Sequence, residues 1–211
     1  MGRILLVRHG ETAWNALGRL LGATDQPLND VGREQARTLA ARLGDAAPTA
    51  VWTSDLVRAR ETGEIVAVAL GLPAPAIDAE LRERAFGVFE GLTRQECEAQ
   101  HPAAWHDWVA QTGAPPGGEP RGEAAARLER ALARIAAHQA GTVVVVSHGA
   151  VMRLWLMEVL GPGVPIVANG AVFVVDRDGA TVRVAPLLQA TGGRAAAGCS
   201  APPEPARRCR R

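Results

Sequence analysis

Apolar residues along this chain follow two alternating patterns, short continuous runs and longer stretches at helical spacing. Residues 4–7 (ILLV) form one short run and residues 50–53 (AVWT) another. Residues 143–146 are four consecutive valines, the composition of a strand buried on both faces of a parallel sheet. Residues 76–79 are a weaker extended segment. Residues 171–175 and 181–184 read as a closing hairpin, with Arg177, Asp178 and Gly179 at its turn. Between these runs the period lengthens. After Asp30, residues Ala36, Leu39, Ala40 and Leu43 recur at helical spacing until Gly44. Thr62, Ile65, Val66 and Ala69 repeat the pattern after Ser54, which is placed to cap the helix, and Gly71 and Pro73 stop it. Leu128, Ala131, Leu132 and Ile135 predict a third helix, and a fourth follows His148 as far as about Leu160.

Strand and helix signals that alternate in this way predict an α/β fold. The expected form is a three-layer α/β/α arrangement around a mainly parallel sheet, with the hairpin as an antiparallel edge. The domain is expected to span residues 1–190. Residues 113–122 (GAPPGGEPRG) read as an internal loop. From about Thr191 the chain is rich in Arg, Ala and Pro, offers little to bury, and is expected to be disordered.

Composition narrows the field. At 211 residues with 47% hydrophobic and 21% charged, the chain is an ordinary globular protein. A net charge of +1 does not suggest a nucleic-acid binder. No apolar run has the length of a signal peptide or a membrane span. Cys97, Cys199 and Cys209 show no metal-ligand spacing, so a reduced cytoplasmic protein is the expectation. Every one of the 23 basic residues is arginine, so any cationic grip on a phosphate must come from Arg or His. The four arginines of the tail (Arg207, Arg208, Arg210 and Arg211) show no amphipathic pattern.

Open α/β sheets bind ligands just beyond the carboxyl ends of their strands. Arg8 and His9 follow the first run; Ser54, Asp55 and Arg58 follow the second. Glu83 follows the weak segment, and Ser147 and His148 follow the valines. Two histidines, two arginines and a carboxyl group thus reach one edge from four segments. Phosphoryl transfer calls for such a set, because its loose transition state is stabilised mainly by positioning and by charge. Arg8 and Arg58 can present guanidinium forks to phosphate oxygens. A neutral His9 can attack phosphorus. A protonated His148 can donate to a phosphoryl oxygen, and the helix after it can point amides at the anion. Glu83 can protonate the departing alkoxide. His9, His148 and Glu83 are also metal-ligand types, but the two arginines would repel a cation.

Leu6-Val7-Arg8-His9-Gly10-Glu11-Thr12, continued by Trp14-Asn15 and residues 18–28 (GRLLGATDQPL), resembles the signature of the histidine phosphatase, or phosphoglycerate mutase-like, superfamily. Ser54-Asp55-Leu56-Val57-Arg58-Ala59 with Thr62 resembles its second motif. Leu81-Arg82-Glu83 with Phe86-Gly87 and Glu90-Gly91 resembles the third, and Ser147-His148-Gly149 the fourth. The resemblance implies a phosphohistidine on His9, a phosphate pocket of Arg8, Arg58 and His148, and Glu83 as proton donor. It also implies substrate contacts at Asn15, Gly22 and Gly149, a small phosphorylated metabolite as ligand, and neither metal nor cofactor. Glu61 and Gly63 depart from the commoner Gln and Ala of the second motif.

The superfamily holds mutases and phosphatases. Glu83-Arg84 is similar to the mutases. Phe86 and Ala150 stand where mutases place tyrosine and asparagine, and the segment from Gly91 to Gly118 lacks their adjacent arginine pair, having only Arg94. Pro116-Gly117-Gly118-Glu119 resembles the PGGE loop of the small phosphatases, α-ribazole phosphatase-like and broad-specificity members included. A metal-independent phosphatase is therefore expected, with a cofactor-dependent mutase or a non-catalytic phospho-ligand module as alternatives. Trp105 and Trp108, at helical spacing, are read as packing, or else as lining the substrate mouth. Arg60, Arg153, His101, His106 and His138 are read as solvated.

Overall fold

The computed structural model describes residues 2–179 and 181–188. Cys199, Cys209 and the Arg-rich tail lie outside the described residues. The strands are β1 (Gly2–Arg8), β2 (Ala50–Thr53), β3 (Ala76–Ile77), β4 (Thr142–Ser147), β5 (Val172–Asp178) and β6 (Thr181–Leu188). They form one sheet in the order β3-β2-β4-β1-β5-β6. β1 pairs parallel with β4, β4 with β2 and β2 with β3, whereas β5 runs antiparallel to β1 and β6 antiparallel to β5. The mainly parallel sheet with an antiparallel edge is the predicted one.

Strand geometry alone produces three layers, because successive side chains point to opposite faces. Ile4, Leu6, Val143 and Val145 turn to one face, where they pack on α6 (Arg121–His138) and α7 (Gly149–Leu160) through Leu128, Leu132, Ile135, Met152 and Trp155. Leu5, Val7, Val144 and Val146 turn to the other, against α2 (Asp30–Leu43) and α3 (Val57–Ala69) through Leu39, Leu43 and Val66. The four valines read as doubly buried are 0–1% exposed. Each such large side chain contributes roughly 1.5–3 kcal/mol by leaving water.

Three local expectations change. Ser54 does not cap α3: its Oγ accepts from Leu56 N–H two residues on (3.1 Å) and meets His148 Nε2 at 2.8 Å. The cap comes from a distant loop instead, where Asp25 Oδ1 accepts from Val57 N–H at 2.7 Å. Arg177 and Asp178 extend β5 rather than turning, since Arg177 pairs with Glu129 on α6. β3 is only two residues long, because the chain leaves it for a 3-10 turn over Ala79–Leu81 capped by Asp78.

Three helices lie between β1 and α6 beyond those read from periodicity, namely α1 (Ala13–Ala16), α4 (Arg94–Gln100) and α5 (Pro102–Ala110). α1 and α4 open with capping boxes, Thr12 with Asn15 and Thr93 with Glu96. α4 and α5 close over a small aromatic cluster. Trp105 stands edge-on to Phe89 at 5.7 Å between centroids, and Trp108 to Phe86 at 5.3 Å. Both tryptophans pack, as expected. His101 is partly covered beside Phe89 (6.1 Å), whereas His106 and His138 are exposed. Among the described residues no helix is long and apolar enough to cross a membrane.

Candidate active site

Parallel pairing brings the two histidines together. Arg8 on β1 is in register with Ser147 on β4, so the next residue of each strand, His9 and His148, emerges at the same sheet edge. Their rings lie 5.0 Å apart. Both are buried, at 2% and 0% exposure. His9 borders a cavity of ≈ 240 Å³ whose wall also includes Arg8, Asn15, Gly22, Arg58 and Glu83, and His148 packs against His9 and Arg58. Residues from four segments thus meet at one sheet edge.

His9 Nδ1 lies 2.6 Å from the carbonyl of Gly10. A carbonyl only accepts, so Nδ1 carries the proton and Nε2 keeps its lone pair. Burial, then Arg8 and Arg58, hold the imidazole well below its ordinary pKa of 6.5, which keeps it neutral. The turn carrying it is tied down twice. Gly10 N–H donates to Thr62 Oγ1 (3.1 Å), and Asn169 Nδ2 donates to the carbonyls of His9 (3.0 Å) and Gly10 (3.2 Å). Asn169 also donates to Asn15 Oδ1 at 3.3 Å, which leaves the Asn15 amide hydrogens as donors. Asn169 sits in a loop without periodic signal, and the sequence reading missed it.

Arg58, fully buried on the first turn of α3, donates through Nη2 to Gly22 O (2.7 Å) and through Nη1 to Thr24 O (2.8 Å). Its Nε–H points at His148 Nδ1, 3.2 Å away. Glu90 shapes the loop that offers those carbonyls, accepting from Ala23 N–H, Thr24 N–H and Phe86 N–H, each at 2.9 Å. Gly22 has a left-handed φ of +57°, and a Cβ there would fall 2.2 Å from Glu90 Oε1. Arg8 Nη1 donates to Val167 O (2.6 Å), while desolvation pulls the guanidinium down to about 10, still charged near neutrality. A Cβ on Gly149 would lie 2.9 Å from Arg8 Nε, so the guanidinium approaches the start of α7 only because residue 149 is glycine.

Two expectations need correction. His148 is not protonated in this arrangement. Its Nδ1 accepts from Arg58, and burial, then Arg58, His9 and Arg8, push its pKa well below 6.5. Nor do the Ala150 and Val151 amides of α7, among those read as aimed at the anion, face an open position. Glu83 takes them, its Oε2 accepting from Ala150 N–H (2.9 Å) and its Oε1 from Val151 N–H (2.8 Å) and Arg84 N–H (2.9 Å). Arg153, read as solvated, lines the cavity and donates to Val164 O at 3.0 Å. Arg60 is exposed, 3.7 Å from Glu64.

Two buried neutral imidazoles give a signed pH prediction. The unfolded chain binds their protons more readily than the folded one, so this stability is fully present above pH 6.5 and is lost as pH falls below it. Each histidine should remove about 1.4 kcal/mol per pH unit until its folded pKa is reached. Urea midpoints at pH 7.5 and 5.5 measure the loss; equal midpoints would refute it.

The family model "Histidine phosphatase superfamily (branch 1)" matches residues 4–185. An Arabidopsis thaliana protein named metal-independent phosphoserine phosphatase is 40% identical over 155 residues, spanning 71% of this chain and about 65% of the plant protein. The probable phosphoglycerate mutase GpmB of Erwinia tasmaniensis is 35% identical over 165 residues, covering 76% of each chain. Among solved structures, a mycobacterial glucosyl-3-phosphoglycerate phosphatase complexed with VO3 superposes with a TM-score of 0.79 at 29% identity, covering 90% of this chain and 99% of that one. Fold, site geometry and the family match agree: the chain belongs to branch 1 of the histidine phosphatase superfamily.

Proposed function

We propose that the chain is a metal-independent phosphatase that hydrolyses a small phosphomonoester in two steps through His9. The observation that carries this reading is the His9 tautomer. The Gly10 carbonyl claims Nδ1–H, and Nε2 is left with a lone pair in a cavity bounded by Arg8 and Arg58. In the first step Nε2 attacks phosphorus, the P–O bond to the alcohol breaks, and protonated Glu83 gives its proton to the departing oxygen. In the second, water attacks the phosphohistidine, passes a proton to Glu83, and the P–N bond breaks to release inorganic phosphate. Arg8, Arg58 and the Asn15 amide hold the equatorial oxygens where charge builds. The names of the phosphoserine and glucosyl-3-phosphoglycerate phosphatases support the same reaction class.

The test is phosphate release from a panel of small phosphomonoesters in excess EDTA, together with trapping of a labelled protein that is acid-labile and alkali-stable, as phosphohistidine is. Release and label should both persist in the chelator. Activity lost to EDTA and restored by a divalent metal would overturn the reading. One observation favours a mutase as the second reading: Arg84, the residue shared with mutases, is buried in the cavity wall. Interconversion of 3- and 2-phosphoglycerate that depends on added 2,3-bisphosphoglycerate would establish it. Tight ester binding without turnover of any kind would point to the non-catalytic module.

A further inference from the structure

Outside the cavity, all but two of the described arginines are ion-paired. Most of those described sit in ion pairs with Asp or Glu, among them Arg19 of the cavity wall. Among the described residues the exceptions are Arg42 and Arg183, away from the cavity, and the cavity arginines Arg8, Arg58, Arg84, Arg94, Arg121 and Arg153. The same wall carries one carboxyl group, Glu83, whose oxygens are taken by backbone amides. A phosphomonoester brings about 1.5–2 negative charges, which Arg8 and Arg58 suffice to meet. Among the described residues none of the remaining cations forms an ion pair.

Arg84 is the most constrained of them. It is 2% exposed, donates through Nε to the carbonyl of Glu119 (2.6 Å), and lies 4.5 Å above the Trp108 ring. Its Nη2 is buried without a hydrogen-bond partner among the described residues. Desolvation first, and the neighbouring Arg121 guanidinium second, draw it down to about 10, so it stays charged near neutrality. A guanidinium clamped on two sides, short of a partner and close to a second one is a costly arrangement unless an anion completes it.

We propose that the cavity holds a second anion subsite, centred on Arg84 and Arg121 with Arg153 at its side, for a negative group on the alcohol portion of the substrate. The substrate is then a small phosphomonoester carrying its own carboxylate or a second phosphate. This rests on the phosphomonoester reading of the site and adds the leaving-group class to it. The volume of ≈ 240 Å³ sets the size, since it falls below the roughly 300–1,000 Å³ of pockets for drug-sized ligands. It also explains how the chain manages without an arginine pair between Gly91 and Gly118. The start of α6, the residue after Glu83 and the second turn of α7 supply the cations instead.

The experiment is titration calorimetry on the His9→Ala protein, which retains the proposed subsite without the proposed nucleophile. One pair of probes isolates a carboxylate, 3-phosphoglycerate against glycerol 3-phosphate. The other isolates a second phosphate, 1,3-propanediol bisphosphate against 1,3-propanediol monophosphate. At least one doubly anionic member should bind about tenfold to a hundredfold more tightly than its partner, and the pair that shows it names the group. The preference should fall below about threefold when Arg84→Gln or Arg121→Gln is added, each checked for folding by circular dichroism, so that one folded variant decides. No preference in either pair, or a preference that survives in a folded variant, overturns the proposal. Because turnover is not needed, an intact preference beside a wild-type protein that hydrolyses nothing would sink the phosphatase reading alone.

Discussion

His9→Ala should lower phosphate release at least about a thousandfold while leaving the protein folded. The expected loss is large because nothing else in the cavity offers a comparable lone pair. His148 Nδ1 accepts from Arg58 and its Nε2 faces Ser54, so the second imidazole is already committed. Folding should survive, since the main-chain bond from His9 N–H to Ser147 O (3.1 Å) and the Asn169 contact to the His9 carbonyl do not involve the ring. Added imidazole should restore part of the rate, because the truncated side chain leaves room beside Arg8 and Arg58 for a free ring to attack. The measurement is kcat/KM for the best ester, with and without imidazole, beside a urea denaturation curve. More than about a tenth of wild-type activity in the folded variant would remove His9 from the nucleophilic role.

Arg58→Ala should damage both activity and stability. The loss in kcat/KM is expected to reach at least about a hundredfold, as for removal of a donor that stabilises transition-state charge. Stability should fall by about 2–4 kcal/mol, because Gly22 O, Thr24 O and His148 Nδ1 lose their donor together. Relief from burying a cation beside Arg8 works the other way, and three orphaned acceptors plus the space left behind outweigh it. The substitution also removes one of the charges that depress His9, so the acidic limb of the rate profile should move to higher pH than in wild type. Arg58→Lys keeps a charge but cannot reach three acceptors from one point, and should recover little. Urea unfolding and pH–rate profiles decide the matter; a stability loss under about 0.5 kcal/mol would mean that water replaces the guanidinium.

The parts read correctly from sequence share one property, that the cause lies within a few residues. Four valines in a row announce a strand covered on both faces, and β4 is such a strand. Arg8-His9 and Ser147-His148 follow apolar runs directly, so their delivery to one edge needed only the rule that ligands gather at strand ends. Features that depend on distant partners stayed hidden. Asp25 caps a helix that starts at Val57, Glu90 braces the loop that grips Arg58, and Asn169 steadies the turn of His9 at the other end of the chain. None has a periodic neighbourhood. Arg153 looked solvated because it was judged on its own helix, whereas the segment around Val164 folds back over it. The α4 helix did leave a local signal, the spacing of Thr93 and Glu96, which a search for capping boxes would have found.

The strand order has a consequence for how the protein comes into being. β1 is made first, yet its only neighbours in the sheet are β4 and β5, which begin at Thr142 and Val172. A nascent chain that has reached the end of α6 still holds its central strand with both edges unpaired, and β2 waits for β4 as well. Such long-range pairing is entropically slow and leaves apolar edges open to aggregation. On the ribosome, the insertion of β4 is therefore the event that joins β1 to β2, and β5 then covers the remaining edge of β1. The same insertion sets His148 beside His9, so the two imidazoles meet only when the two halves of the parallel sheet are joined.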